Sequence, residues 1–134
     1  MSVLFQNAAG QLVADPAGFL RLNWGAQPRS TADVQAFLAA AAHHLVELGY
    51  DRMLANQLNM VPFSTEEQQW VSHHWLPAAV QQSGYRFGAI VVSDNVMTRL
   101  ATSAITANVQ DLPLRYRSFD AEEQAIKWLV QQTV

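Results

Sequence analysis

Apolar and polar residues alternate at the start of the chain and change to helical spacing after Ser30. Val3 to Gln6 and Gln11 to Ala14 are short apolar-rich runs, and Asn7-Ala8-Ala9-Gly10 between them has the composition of a hairpin turn. Asp15-Pro16 and Gly18 punctuate the chain before Phe19 to Trp24, where Leu20, Leu22 and Trp24 alternate with Arg21 and Asn23. A two-residue period is the mark of a half-buried strand. These runs predict an antiparallel meander of three strands. Val34, Phe37, Leu38, Ala41, Leu45 and Leu48 then fall within ~100° on a helical wheel. Ser30 or Thr31 is placed to cap that helix, and Gly49 to end it.

Arg52 to Leu58 reads as the next strand. Ser64 and Glu67 have capping-box spacing and open a second helix running towards Ser83-Gly84. Pro77 lies inside it, which predicts a kink or break near His73 to Leu76. Phe87 to Val92 is apolar on both faces, as expected of a central strand covered by helices, with Ile90 and Val92 almost fully buried. Asp94-Asn95 turns into a third, weaker helix over Val96 to Ala107, and Leu114 to Phe119 forms another strand. Asp120-Ala121-Glu122-Glu123 repeats the capping-box pattern before a last helix. There Ala121, Ala125, Trp128 and Leu129 share one face, and Glu123 pairs with Lys127 on the other. The order β-β-β-α-β-α-β-α-β-α predicts an α/β fold with a mainly parallel sheet of four to six strands, an N-terminal antiparallel meander and about four helices. No repeat, linker or low-complexity stretch divides it, so residues 1–134 read as a single domain.

Composition narrows the function. Half the residues are apolar and 14% are charged, with net charge −3. Thirteen glutamines accompany a single lysine. Seven scattered arginines, outnumbered by acids, give no basic patch, which argues against nucleic acid. No apolar run approaches the ~20 residues of a membrane span. Met1 to Asn7 carries no positive charge ahead of its apolar residues, unlike a secretory leader, so a cytoplasmic location is expected. The absence of cysteine fits that location and removes thiol chemistry. Weak charge repulsion and an exposed sheet edge favour self-association, read as a homodimer.

No catalytic, cofactor or metal constellation assembles from the motifs. His43-His44 and His73-His74 are adjacent pairs, which point ~100° apart on a helix and lack the spacing that lets two ligands share an ion. His43 and Glu47 read as a surface pair, and His73 and His74 as packed between Trp70 and Trp75. The carboxyl rim of the sheet, where open α/β folds bind ligands, is expected to carry Asn56, Asn59, Ser64, Ser93, Asp94, Asn95, Ser118 and Asp120. These are also the residue types of turns and caps. The candidate switch or interaction residues are Ser64, Asp94, Trp70 and Trp75. Trp70 and Trp75 lie ~140° apart on the wheel, which leaves one of them partly exposed as a contact anchor.

Trp70-x4-Trp75-Leu76-Pro77-x6-Gly84-Tyr85-Arg86-Phe87-Gly88-Ala89-Ile90-Val91 and the ending Phe119-Asp120-Ala121-Glu122-Glu123-Gln124-Ala125-Ile126-Lys127-Trp128-Leu129 resemble small bacterial proteins of the SpoIIAA-like, STAS-domain-like superfamily (Bacteroidetes-type). The resemblance runs from about Phe19 onward and rests on packing motifs. It implies a four- or five-stranded sheet with helices and a regulatory binding module. In such modules a serine at the start of the helix after a middle strand is phosphorylated, the place Ser64 occupies here. This chain reads Asn59-Met60-Val61-Pro62-Phe63-Ser64-Thr65 where the antagonist members have an Asp-Ser-Ser-like turn. The expected function is a non-enzymatic regulatory or protein-interaction module without cofactor. The alternative is small-molecule or lipid binding in an apolar pocket between the second helix and the sheet. A roomy pocket lined by aromatics favours the second, and a flat tryptophan-bearing surface the first.

Overall fold

Six strands hydrogen-bond in the order in which they occur in the chain: β1 (Ser2–Asn7), β2 (Gly10–Asp15), β3 (Phe19–Trp24), β4 (Arg52–Asn56), β5 (Phe87–Val91) and β6 (Arg115–Phe119). The computed structural model describes residues 2–109 and 111–133; Met1 and Val134, the ends of the expected domain, lie outside that range. β1, β2 and β3 pair antiparallel, and β3 to β6 pair parallel. The α/β architecture with its mixed sheet is therefore the one expected, at the upper end of the strand count and above the four or five strands that the resemblance implies.

Helix α1 (Thr31–Leu48) follows β3, α2 (Thr65–Trp70) and α3 (Leu76–Gln82) lie between β4 and β5, α4 (Val96–Thr106) precedes β6, and α5 (Glu122–Val130) ends the fold. Right-handed crossovers that always advance the same way across a parallel sheet leave their helices on one face. Accordingly α1, α2–α3 and α4 cover one face, where Leu20, Leu22, Trp24 and Met53 meet Phe37, Leu38, Trp75, Ala79 and Ile105. α5 has no strand to follow it and folds under the opposite face, burying Ala125 and Leu129 against Leu54, Phe87, Ala89 and Val91.

Local chemistry sets the boundaries, and several differ from the sequence pattern. β4 stops at Asn56 rather than Leu58, because the Asn56 side chain accepts from the Leu58 N–H at 3.1 Å and turns the chain. α1 is capped by Ser30, whose hydroxyl accepts from the Asp33 N–H, and ends at Gly49 with φ 69°, a left-handed backbone that suits glycine. Leu48, at that end, is 39% exposed, so the inward stripe closes at Leu45.

Between α2 and α3 the helix widens into a π turn, Val71–Trp75, with the Leu76 N–H donating to the Val71 carbonyl five residues back. Pro77 explains it: its ring would collide with the carbonyl one α-turn earlier, and the wider turn makes room. The turn leaves His73 and His74 exposed rather than packed between the tryptophans. The last helix also departs from expectation. Ala121, not Asp120, is its N-cap, with no side-chain hydrogen bond. Ala121 is exposed, and among the described residues Glu123 and Lys127 form no ion pair. Glu122 is instead drawn to Arg21 on β3 and accepts from the Asn56 amide at 3.0 Å. Its engagement with the sheet sets the helix start.

Candidate functional site

Ile90 and Val92 are half-buried, contrary to the expectation from their strand, while Ala89 and Val91 on the other face are sealed beneath α5. The reason is a shortage of bulk on the α1–α4 face. There the rows Leu20–Met53–Gly88–Tyr116 and Leu22–Ala55–Ile90–Ser118 run across the strands in register. Gly88 and Ala55 occupy the middle of those rows, where a packed core carries branched side chains. Above them α4 contributes Thr102, Ile105 and Thr106 to the lining and packs against α2 and the π turn.

The result is an apolar chamber, open at one side, with a cavity volume of about 100 Å³. Its floor is the sheet around Met53, Ala55, Gly88 and Ile90; its roof comes from Leu38, Val71, Trp75, Leu76 and Ile105; Trp24, Phe63 and Tyr85 form walls. The aromatic walls are held firmly. Trp24 meets Phe37 and Phe63 edge-on with ring centroids 5.0 and 5.2 Å apart. The buried Arg29 guanidinium lies over both Trp24 and Phe63, donates to the Val61 carbonyl at 2.9 Å and pairs with Glu67 at 2.9 Å. The Trp75 indole donates to the Leu38 carbonyl at 2.7 Å. At the mouth, between α4 and β6, the Tyr116 hydroxyl donates to the Thr106 carbonyl at 3.2 Å.

Gln57, Tyr85, Thr102, Thr106 and Tyr116 bring polar groups into this apolar lining. The Tyr85 hydroxyl rests on Gly88, where any Cβ would collide with it. Among the described residues that hydroxyl has no hydrogen-bond partner, and burial raises the phenol above its ordinary value. Gln57, itself buried, accepts from the Thr102 hydroxyl at 2.8 Å. A concave apolar space with a few convergent polar groups is the usual form of a small-molecule site.

The residues singled out in the sequence lie apart. Ser64 is the N-cap of α2, its hydroxyl accepting from the Glu67 N–H at 3.1 Å while Glu67 accepts from the Ser64 N–H at 2.9 Å. Asp94 is exposed and Asn95 takes the cap of α4, accepting from Met97 and Thr98. Trp70 is half-buried at the end of α2, and Trp75 alone of the four lines the chamber. The one histidine-containing cluster among the described residues, exposed His43 and Glu47 with half-buried His44 on α1, has its ligand atoms within 4.8 Å of one another. His43 Nε2 and Glu47 are in contact at 2.9 Å as an i,i+4 pair. Sequence reasoning passed over Ala55, Gln57, Tyr85 and Gly88. The available signal was Gly88, an isolated glycine in the strongest strand, which often marks a close approach. No family model, curated protein or solved structure matches the chain.

Proposed function

We propose that this protein binds a small, largely apolar molecule in the chamber between its helices and sheet, as a cytoplasmic carrier or sensor without catalysis of its own. The carrying observation is the conjunction of Ala55 and Gly88 beneath a rigid aromatic wall with a Tyr85 hydroxyl that no described residue engages. A space of about 100 Å³ that opens at its mouth suits a small apolar molecule; an engineered closed cavity of ~150 Å³ takes up benzene. Titration with toluene, followed by amide NMR, tests the reading. Saturable shifts at Ala55, Gly88, Ile90 and Ile105 are expected, and shifts absent there while present on the exposed surface refute it.

A second reading keeps the regulatory, SpoIIAA-like module as a proposal. Val96, Met97 and Leu100 on α4 are each at least 60% exposed, and Met97 and Leu100 share a shallow groove with Ser64 and Gln68. A partner seated there would read Ser64 directly. Retention of a partner by the parent protein and its loss on Met97→Asp, with toluene binding intact, would favour this reading over the first.

A further inference from the structure

We infer that the chamber's ligand is uncharged and carries a carbonyl-type oxygen that accepts a hydrogen bond from the Tyr85 hydroxyl. This rests on the chamber being a binding site and adds the chemical class of what it holds. None of the described residues lining the chamber is charged. A carboxylate or ammonium group brought in from water would lose hydration and meet no partner of opposite sign. The lining therefore selects neutral molecules.

It also holds donors, and every lining hydroxyl and indole but one is committed elsewhere. The Trp75 indole donates to the Leu38 carbonyl and the Thr102 hydroxyl to Gln57. The Thr106 hydroxyl donates to the Ser103 carbonyl and the Tyr116 hydroxyl to the Thr106 carbonyl. The exception is Tyr85, whose hydroxyl engages no described residue. Its place is nevertheless fixed. The ring packs against Trp75 with centroids 6.1 Å apart, and the hydroxyl lies over Gly88 on the chamber floor. Positive φ occurs at Gly18, Gly49 and Gly84 but not at Gly88, so backbone conformation does not call for glycine there. Room for the hydroxyl does, since any Cβ at Gly88 would collide with it. Gly88 thus admits one polar atom to an apolar floor.

A phenol gives a hydrogen bond more strongly than it takes one, because its oxygen lone pair is delocalised into the ring. Burial also holds the Tyr85 proton above the ordinary tyrosine range, which keeps the group a donor. A donor left unpaired in an apolar site is costly, and a ligand acceptor recovers that cost. A small ketone has the matching form, an apolar body with one oxygen that only accepts.

Amide NMR titrations of the full chain with cyclopentanone and with methylenecyclopentane, in which CH₂ replaces the carbonyl oxygen, isolate the contribution of that oxygen. Tyr85→Phe keeps the ring and removes the donor. The ratio of ketone to hydrocarbon affinity is expected to fall about fivefold in this variant, the worth of one neutral hydrogen bond. A ratio that Tyr85→Phe leaves unchanged overturns the carbonyl acceptor while the chamber stands. So does a ketone without saturable shifts at Gly88 and Ile105 where the hydrocarbon produces them. Absence of saturable shifts there with both ligands and with toluene overturns the chamber and this inference together.

Discussion

Replacing Ala55 with leucine should stabilise the protein, which is the reverse of what a packed core does. Ala55 sits in β4 between Leu22 and Ile90 on the chamber floor, half-buried with empty space above it. Leucine adds three carbons, and at ~0.8 kcal/mol per buried CH₂ their transfer from water amounts to about 2.4 kcal/mol. Fixing the new side chain in one rotamer costs about 0.5–1 kcal/mol. A net gain of about 1.5 kcal/mol follows, against a loss of ~1–3 kcal/mol expected if the site were already filled. Urea unfolding reads the difference: with m unchanged at ~1–3 kcal/mol/M, the midpoint should rise by about 0.5–1.5 M. The same variant should lose toluene binding, since the leucine occupies its place. A midpoint that falls would mean that Ala55 is packed and that the chamber is not open space.

Ser64→Ala removes the cap of α2 and should cost ~0.5–2 kcal/mol in urea unfolding with toluene affinity unchanged; undiminished stability would refute the capping role. Tyr85 gives an alkaline signature. The folded state holds its phenol proton to higher pH than the unfolded chain, which ionises near pH 10. Its contribution is thus fully present below pH 10 and lost above it, at up to ~1.4 kcal/mol per pH unit. Tyr85→Phe should flatten the fall in the urea midpoint between pH 10 and 11, and an unaltered slope would contradict the burial of that hydroxyl. The low charge content and the uncovered strands at the sheet edges lead to a homodimer, expected in sedimentation equilibrium at twice the 14.9 kDa of the chain; a single species at the monomer mass would refute it.

Much of the architecture was legible because periodicity reports which residues meet the core. The alternation through Phe19–Trp24, the helical stripe from Val34 to Leu45 and the apolar run at Phe87–Val91 each locate an element. Pro77 likewise marks the interruption between Trp70 and Leu76, although not its form: the π turn follows from the carbonyl the proline must avoid. Asp120 misled because a cap needs a following helix free to begin there, and Glu122 is held by Arg21 and Asn56 from the sheet. The chamber was hidden for a different reason. It arises from what Ala55 and Gly88 lack, and their adjacency exists only once β4 and β5 are in register. Ile90 has the composition of a core residue, and only the position of α4 decides whether anything packs on it. Gln57, one glutamine among thirteen, gains its meaning solely from its burial beside Thr102.

A crystal of the protein under xenon pressure tests the chamber itself, without assuming any natural ligand. Xenon enters preformed apolar cavities and avoids packed or polar ones. The account predicts xenon among Trp75, Gly88, Ile90 and Ile105, and none there in crystals of the Ala55→Leu variant. Xenon absent from that position in the parent protein, with Ile90 in contact with α4 instead, would contradict it.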